Sequence, residues 1–205
     1  MKLYLIRHGY TKGNEEKRYV GVTDEPLSIS GVERLEKLRI ILASIKPDVI
    51  LTSPMIRCRE TAKLLFPAYE AQIVEGFKEC DFGSFEYKNY QELNGNALYQ
   101  SWIDSGGTEA FPGGESPEGF RRRCCDAFQA ELEKIQKLQE RSHIETVVMV
   151  VHGGTIMAIL DTFSLPHRDY FAWQIGNGDG YAGELNVETC TIESLEKLVV
   201  YENYF

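Results

Sequence analysis

Two of the four histidines in this chain follow short apolar runs, and each is followed by glycine. His8 comes one residue after the run at 3–6, and His152 comes directly after the run at 147–151. Continuous apolar runs are typical of strands buried on both faces of a parallel sheet. Ligands of open α/β sheets bind beyond the carboxyl ends of the strands. We therefore expect both imidazoles at one edge of one sheet, where catalysis is one of several roles open to histidine.

Two arginines and a predicted helix start converge on the same edge. Arg7 ends the first run, and Arg57 stands shortly after a third apolar run at 49–51. A guanidinium can fork onto two phosphate oxygens, which lysine cannot do with the same geometry. Residues 153–163 are predicted to be a helix, and free amides at a helix start attract phosphate. Gly153 lets the backbone approach a ligand closely. The sequence therefore predicts a phosphate pocket.

Amphipathic helical patterns separate the apolar runs. Apolar residues recur at three- and four-residue spacing over 32–45, behind Ser28 or Ser30 as the capping residue, and over 120–138, behind Ser116. Strands that alternate with helices imply right-handed crossovers. We predict an α/β fold, a three-layer sandwich whose mostly parallel central sheet has helices on both faces.

The stretch at about 83–115 has a different composition, being aromatic, polar and glycine-rich, with a helical pattern only over 87–102. We predict that it is an insertion over the active site within a single domain spanning 1–205. At about 150 residues per domain, the chain is too short for a second full domain. Clustered glycines at 176–183 predict a loop before a final hairpin-like pair that ends at 198–200.

Charge and composition restrict the partners. The chain has 31 acidic and 22 basic residues, a net charge of -9, and no basic stripe, so we expect no nucleic acid partner. No apolar run approaches the roughly 18 residues of a membrane span, and the amino terminus lacks a signal-peptide cleavage region. We expect no membrane association and a cytoplasmic location. Five cysteines without a Cys-x-x-Cys pair predict reduced thiols.

Six segments, in order and covering nearly the whole chain, resemble those of the histidine phosphatase superfamily, also called the phosphoglycerate mutase-like fold. They are LIRHGYTKGN (5–14), LSISG (27–31), TSPMIRCRETA (52–62), KECDFGSFE (78–86), PGGES (112–116) and VVHGGTIMA (150–158). Arg-His-Gly alone occurs by chance, but the ordered set does not. The resemblance implies a phosphomonoesterase that works through a phosphohistidine, with no metal and no cofactor.

Carried onto the matching positions, the resemblance implies a role for each site residue. His8 would be the nucleophile. Arg7, Arg57 and His152 would hold the phosphoryl group, and Glu79 would protonate the leaving oxygen. The residues expected to contact the substrate are Asn14, Thr11, Gly153, Tyr10 and Tyr87.

Elementary electrostatics supports part of this assignment. The two arginines should disfavour a protonated His8 and keep a lone pair available near pH 7, from a reference pKa of about 6.5. Taken alone, Glu79 is an ordinary surface carboxylate, and Asp81 is its local competitor for the role of acid. Glu115 either orients an active-site arginine or belongs to a turn, and 121–123 (three arginines) are expected to form a solvated helix face.

Several positions depart from the family pattern and concern the substrate pocket. Tyr10 stands where Glu is common, Cys58 and Glu60 replace Ala and Gln, and Tyr87 replaces a frequent Gly. None of these changes removes a catalytic group. We expect Tyr10, Tyr87 and the insertion to shape the pocket.

The substrate class stays open at this level. The short insertion with Trp102 followed by PGGES most resembles bacterial alpha-ribazole phosphatases, which implies a small phosphorylated metabolite such as alpha-ribazole 5'-phosphate. The alternatives are phosphoryl transfer of the cofactor-dependent phosphoglycerate mutase type, and a sugar-phosphate or broad-specificity phosphatase. A binding module without turnover would have lost a histidine or arginine, and a metal hydrolase would need ligand spacings such as His-Glu-x-x-His, which are absent. Monomer and dimer both remain open.

Overall fold

A six-stranded sheet forms the centre of the protein in a computed structural model that describes residues 1–200. The last five residues of the predicted 1–205 domain lie outside the described residues. The strands are β1 (Lys2–Arg7), β2 (Val49–Thr52), β3 (Gln72–Ile73), β4 (Thr146–Val151), β5 (Gly180–Asn186) and β6 (Thr191–Leu198). Their order across the sheet is β3-β2-β4-β1-β5-β6. β1, β2, β3 and β4 are parallel, whereas β5 is antiparallel to β1 and β6 to β5.

Within residues 1–200, six α-helices connect the strands. They are α1 (Lys12–Glu15), α2 (Ile29–Ile41), α3 (Ile56–Leu65), α4 (Ala97–Asp104), α5 (Pro117–Gln139) and α6 (Gly153–Phe163). Short 3₁₀ turns occur at Glu75–Phe77, Gly83–Phe85 and Tyr170–Trp173. The hydroxyl of Ser28 caps α2 by accepting from the Gly31 amide, and that of Ser116 caps α5 by accepting from the Gly119 amide. Among the described helices, none is long and apolar enough to cross a membrane.

The helix predicted over 87–102 is wrong in its first half. The observed helix α4 begins at Ala97, because the side chain of Asn96 caps it by accepting from the amides of Leu98 and Tyr99. Before it, positive φ angles at Tyr87 (57°) and Gly95 (79°) turn the chain out of the helical conformation.

Helices cover both faces of the sheet, as predicted for this α/β fold. On one face, α5 and α6 place Phe128 and Ile159 against the sheet in one buried apolar cluster. On the other face, α2 and α3 place Leu35 and Ala62 in a second cluster. The strand β4 supplies both clusters, since alternate side chains of a strand point to opposite faces. The sheet edge that carries the histidines is therefore held rigidly from both sides.

A third cluster is aromatic and lies in the segment predicted to be an insertion. Its centre is Phe85, which is fully buried and has ring centroids 5.3 Å from Tyr99, 6.1 Å from Phe111 and 6.2 Å from Trp102. Edge-to-face packing of such rings adds to the free energy gained from burial alone. This cluster gives a segment with little regular structure a fixed shape.

We predict that Phe85→Ala lowers the free energy of unfolding by about 3–5 kcal/mol, because the substitution leaves a cavity at the centre of the aromatic cluster. Chemical denaturation followed by circular dichroism measures this change. The matched control is Phe171→Ala, since the Phe171 side chain is 73% exposed and its removal should change stability little. Equal losses for the two variants would contradict the assignment of Phe85 to a structural core.

Candidate active site

The carboxyl ends of β1, β2 and β4 bring together the residues that the sequence predicts for the phosphate pocket. His8 and His152 have ring centroids 5.1 Å apart in an edge-to-face arrangement. His8 is 3% exposed, and Arg57 and His152 are fully buried. The parallel register of β1 with β4 places Arg7 opposite Val151, so each histidine leaves its strand at the same level.

His8 is held in one tautomer. Its Nδ1 lies 2.7 Å from the carbonyl oxygen of Gly9, and because a carbonyl can only accept, Nδ1 carries the proton and Nε2 keeps a lone pair. The Gly9 amide donates in turn to the Thr61 hydroxyl at 3.1 Å. Burial, followed by Arg57 and Arg7, lowers the pKa of His8 well below its usual value. The lowered pKa therefore favours a neutral His8 imidazole at physiological pH.

His152 is fixed by two side chains that sequence reasoning did not assign. The Ser53 hydroxyl lies 2.7 Å from His152 Nε2, and the Cys58 sulfur lies 3.6 Å from the same nitrogen. Burial and then Arg57 lower the pKa of His152 well below its usual range. Burial also raises the pKa of Cys58 to about 12, so it packs on the ring as a neutral thiol. In the sequence, the position of Ser53 shortly after the third apolar run could have indicated that it belongs to this site.

In each of the two arginines, the buried Nε–H finds no acceptor within residues 1–200. The terminal nitrogens of Arg57 donate to the carbonyls of Thr23 at 2.9 Å and Gly21 at 2.8 Å, and Arg7 Nη1 donates to the Ile175 carbonyl at 2.6 Å. The Nε atoms of Arg7 and Arg57 are buried without a hydrogen-bond partner in the described part of the chain. Buried donors are rarely left unpaired, so these two N–H groups point to an anionic ligand.

Glu79 lines a cavity together with Arg7 of the predicted phosphate pocket. One carboxyl oxygen accepts from the Cys80 amide at 3.0 Å, and a side chain at Gly154 would lie 2.7 Å from that oxygen. Glycine at 154 therefore lets the carboxyl approach the start of α6. Burial raises the pKa of Glu79, and the Cys80 amide, Arg57 and Arg7 oppose that rise only in part. The competing Asp81 accepts from the Gly83 amide at 2.8 Å, in a local turn.

A cavity of about 610 Å³ extends from Arg7, Glu79 and Gly153 towards the surface. Its walls are largely aromatic. The rings that line it belong to Tyr19, Phe82, Trp102, Phe111, Phe120, Tyr170 and Phe171. At its rim the guanidinium of Arg121 lies over Tyr170, 3.8 Å from the ring centroid. The site thus combines a cationic base with an aromatic wall.

The remaining residues expected at the substrate lie elsewhere. Tyr10 lines another cavity beside α2, and the Tyr87 hydroxyl donates to Glu25 at 3.1 Å. Thr11 is fully buried and caps α1 by accepting from the Asn14 amide at 3.3 Å. The cavity that Arg7 and Glu79 line is also lined by Gly153, but not by Tyr10, Thr11, Asn14 or Tyr87. Tyr10 lies beside α2 and the Tyr87 hydroxyl is bound to a carboxylate, so contact of these two side chains with the substrate stays a prediction.

Asn177 is a site residue that sequence reasoning missed. It is 4% exposed, and its side-chain amide donates to the His8 carbonyl at 3.3 Å and to the Asn14 side-chain oxygen at 3.0 Å. Asn177 lies among the clustered glycines at 176–183, which predict a loop. It lies next to the His8 backbone because β5, the strand after this loop, pairs with β1. It ties Asn14 of α1 to the backbone of His8.

The prediction that the arginines at 121–123 form a solvated helix face is wrong for two of them. Arg121 lines the cavity, and Arg123 is paired with Glu115 at 2.7 Å and donates to the Gly76 carbonyl at 3.0 Å. Only Arg122 of the three is largely exposed. The first turns of α5 pack against the segment that carries Glu79, where Arg123 finds carbonyl acceptors, while Arg121 packs on the ring of Tyr170. Glu115 therefore orients an arginine next to the site.

Comparison with known proteins identifies the family. Residues 3–197 match the model of the histidine phosphatase superfamily, branch 1. Over 98% of both chains, the protein is 27% identical to the adenosylcobalamin/alpha-ribazole phosphatase of Escherichia coli K12.

Two crystal structures show the same fold. The alpha-ribazole phosphatase from Shigella flexneri superposes with a TM-score of 0.80 at 24% identity, covering 99% of this chain and all of that one. The phosphoglycerate mutase from Thermus thermophilus superposes with a TM-score of 0.69 at 23% identity, covering 98% and 100%. The fold is therefore phosphoglycerate mutase-like, and the chain belongs to the histidine phosphatase superfamily.

Proposed function

We propose that this protein is a phosphomonoesterase that hydrolyses a small phosphorylated metabolite through a phosphohistidine at His8. The observation that carries the proposal is the pair of unpartnered Nε–H groups of Arg7 and Arg57 around a neutral imidazole. Phosphoryl transfer passes through a loose state with charge spread over three oxygens, so catalysis consists mainly of positioning and electrostatic stabilisation. The arginines supply both.

The reaction has two steps. In the first, His8 Nε2 attacks phosphorus, the P–N bond forms, the P–O bond to the leaving group breaks, and Glu79 gives its proton to the departing oxygen. In the second, the Glu79 carboxylate takes a proton from water, the water oxygen attacks phosphorus, and the P–N bond breaks to release phosphate. His152, held by Ser53, donates a hydrogen bond to the phosphoryl oxygens throughout.

We further propose that the reaction needs no metal ion. In phosphoryl transfer a metal ion supplies positive charge to the phosphoryl oxygens, and here Arg7 and Arg57 occupy that position. No group of three or more His, Cys, Asp or Glu side chains within residues 1–200 is arranged to hold a metal ion. Neighbouring guanidinium groups would also repel a cation.

The aromatic cavity favours a leaving group with a flat apolar part. A flat ring can pack against Trp102 and Tyr170, which line the cavity, and Arg121 offers a positive charge next to them. Because a relative is named as an alpha-ribazole phosphatase, our candidate substrate is alpha-ribazole 5'-phosphate. A sugar phosphate, or a three-carbon acid as in phosphoglycerate mutases, would leave most of this apolar wall unused.

We predict that the enzyme forms an acid-labile, base-stable phosphoenzyme in buffer that contains a metal chelator, and that His8→Ala abolishes it. Nitrogen-linked phosphate differs in lability from an oxygen ester. Rapid quenching with labelled substrate measures the intermediate. His143→Ala is the control, since that side chain is 84% exposed and precedes β4 at the opposite end from His152. Full turnover by His8→Ala, or activity that returns only on addition of metal, would refute this mechanism.

We predict that the loss of activity in Glu79→Gln depends on the leaving group. With an alkyl phosphate the departing oxygen is very basic, so kcat/KM should fall by about 10²- to 10⁴-fold, the range typical of general acid catalysis. With p-nitrophenyl phosphate the phenolate leaves without a proton, and the loss should be much smaller. Since burial raises the pKa of Glu79, activity on the alkyl ester should decline as pH rises through that pKa.

Asp81→Asn is the matched control for Glu79→Gln. Its carboxylate is two residues away and is used in a local turn, so it should show no difference between the two substrates. If Asp81→Asn slowed the alkyl ester selectively while Glu79→Gln slowed both substrates equally, Asp81 would be the acid.

We predict that Arg121→Ala raises KM for alpha-ribazole 5'-phosphate by about two- to thirtyfold, the range of a cation–π contact, and leaves KM for methyl phosphate unchanged. Arg122→Ala is the neighbouring control, because Arg122 is exposed and lies next to Glu118. A larger effect of Arg121→Ala on 3-phosphoglycerate than on alpha-ribazole 5'-phosphate would instead indicate that Arg121 binds a second anionic group of the substrate.

A further inference from the structure

We propose that Glu86 is a positioning residue that sets the Arg57 guanidinium in the phosphate site through the loop at residues 20–23. The inference rests on the proposed function in that it takes Arg57 to bind a phosphoryl group. It assigns to Glu86, which lies in the aromatic segment and outside the cavity, a role in phosphate affinity.

The Glu86 carboxylate accepts five hydrogen bonds. Its Oε2 accepts from the Thr23 hydroxyl at 2.7 Å, from the Gly21 amide at 3.3 Å and from the Thr23 amide at 3.4 Å. Its Oε1 accepts from the amides of Val22 at 3.0 Å and Phe82 at 3.1 Å. A carboxylate offers about four lone-pair sites, so both oxygens are saturated. Four of the five bonds come from the loop, more than sixty residues away in sequence.

The same loop turns its carbonyls to Arg57. The terminal nitrogens of Arg57 donate to the carbonyls of Gly21 at 2.8 Å, Thr23 at 2.9 Å and Val20 at 3.4 Å. These contacts fix the plane of a guanidinium that is fully buried, and they leave its Nε–H for a ligand. Any displacement of the loop therefore moves that N–H relative to His8.

Two peptide units connect the two charged groups directly. In the unit between Val20 and Gly21, the carbonyl accepts from Arg57 and the amide donates to Glu86. The unit between Gly21 and Val22 is used in the same way. A trans peptide is planar, with its carbonyl and N–H pointing in opposite directions, so each unit is a rigid bridge between the carboxylate and the guanidinium. Hydrogen bonds in such a chain also polarise one another.

Glycine at position 21 is a requirement of this arrangement. A Cβ there would lie 2.0 Å from the Cys80 carbonyl oxygen and 2.3 Å from Glu86 Oε1. The loop can therefore approach Glu86 this closely because residue 21 is glycine.

If Glu86 only stabilised the loop, its loss would lower the stability of the protein without a specific effect on the function of Arg57.

The test is Glu86→Gln, assayed with p-nitrophenyl phosphate and with orthovanadate as inhibitor. In either amide orientation, an N–H₂ replaces an oxygen that accepts at least two hydrogen bonds, so the loop must shift. We expect kcat/KM to fall and the vanadate inhibition constant to rise by about tenfold or more, on the scale of a hydrogen bond to a charged group. An alkyl phosphate should lose the same factor, unlike the result for Glu79→Gln. The control Glu92→Gln, which removes a surface carboxylate of the same segment paired with Arg18, should behave as wild type.

A double-mutant cycle with Arg57→Ala separates positioning from a general structural role. If Glu86 acts through Arg57, Glu86→Gln costs far less activity in the Arg57→Ala background than in the wild type. Equal factors in both backgrounds would overturn the inference and leave the proposed function intact. A wild-type protein that neither hydrolyses p-nitrophenyl phosphate nor binds vanadate would overturn the proposed function itself.

Thr23→Val provides a milder variant in case Glu86→Gln does not fold, as judged by circular dichroism. It removes only the 2.7 Å hydroxyl bond to Glu86 and keeps the backbone that faces Arg57. We expect a loss of about two- to tenfold in vanadate affinity, and again a much smaller loss in the Arg57→Ala background. Wild-type vanadate affinity in a folded Thr23→Val would overturn the inference.

Discussion

The guanidinium of Arg57 is fully buried, so the structure around it must supply hydrogen-bond acceptors in place of water. Taking a charge out of water is expensive unless hydrogen bonds replace the lost solvation. Backbone carbonyls of the loop at 20–23 satisfy its terminal nitrogens, which means that the loop must run close to α3 with its carbonyls turned inward. The Nε–H of Arg57 has no acceptor within residues 1–200, so this end of the sheet offers a ligand a buried donor on a positively charged group.

The same charge and the same burial act differently on the histidines and on the acid. For His8 and His152, burial and the neighbouring arginines lower the pKa together, so both imidazoles are neutral. For Glu79, burial raises the pKa and the arginines oppose it, with burial the larger influence. One environment therefore disfavours the protonated form of both histidines and the ionised form of Glu79. At neutral pH the raised pKa of Glu79 costs stability, because a carboxyl group in water is ionised there. The lowered pKa values of His8 and His152 cost stability only below the usual pKa of histidine.

Local patterns predict most of the fold. The strands of the sheet centre are recognisable because they are buried on both faces, and the starts of α2 and α5 because Ser28 and Ser116 cap them. The start of α4 does not follow from the sequence, since it depends on turns around Gly95 that interrupt an apparently helical pattern. The edge strand β3, with two residues, is too short to leave any pattern.

Some residues of the candidate site are likewise predictable from local sequence patterns, and others are not. His8, Arg7, Arg57 and His152 are predictable because each stands at or after the end of a strand at a common edge. Arg121, Asn177 and Glu86 are not, because their contacts join segments far apart in sequence. Such segments make the aromatic wall of the cavity. In contrast, Arg7, His8 and His152 stand at the ends of strands, which cannot move without disturbing the sheet. Substitutions in the wall can therefore change the leaving group that is accepted while the phosphate geometry persists, and a fold shared with both a phosphatase and a mutase is the expected consequence.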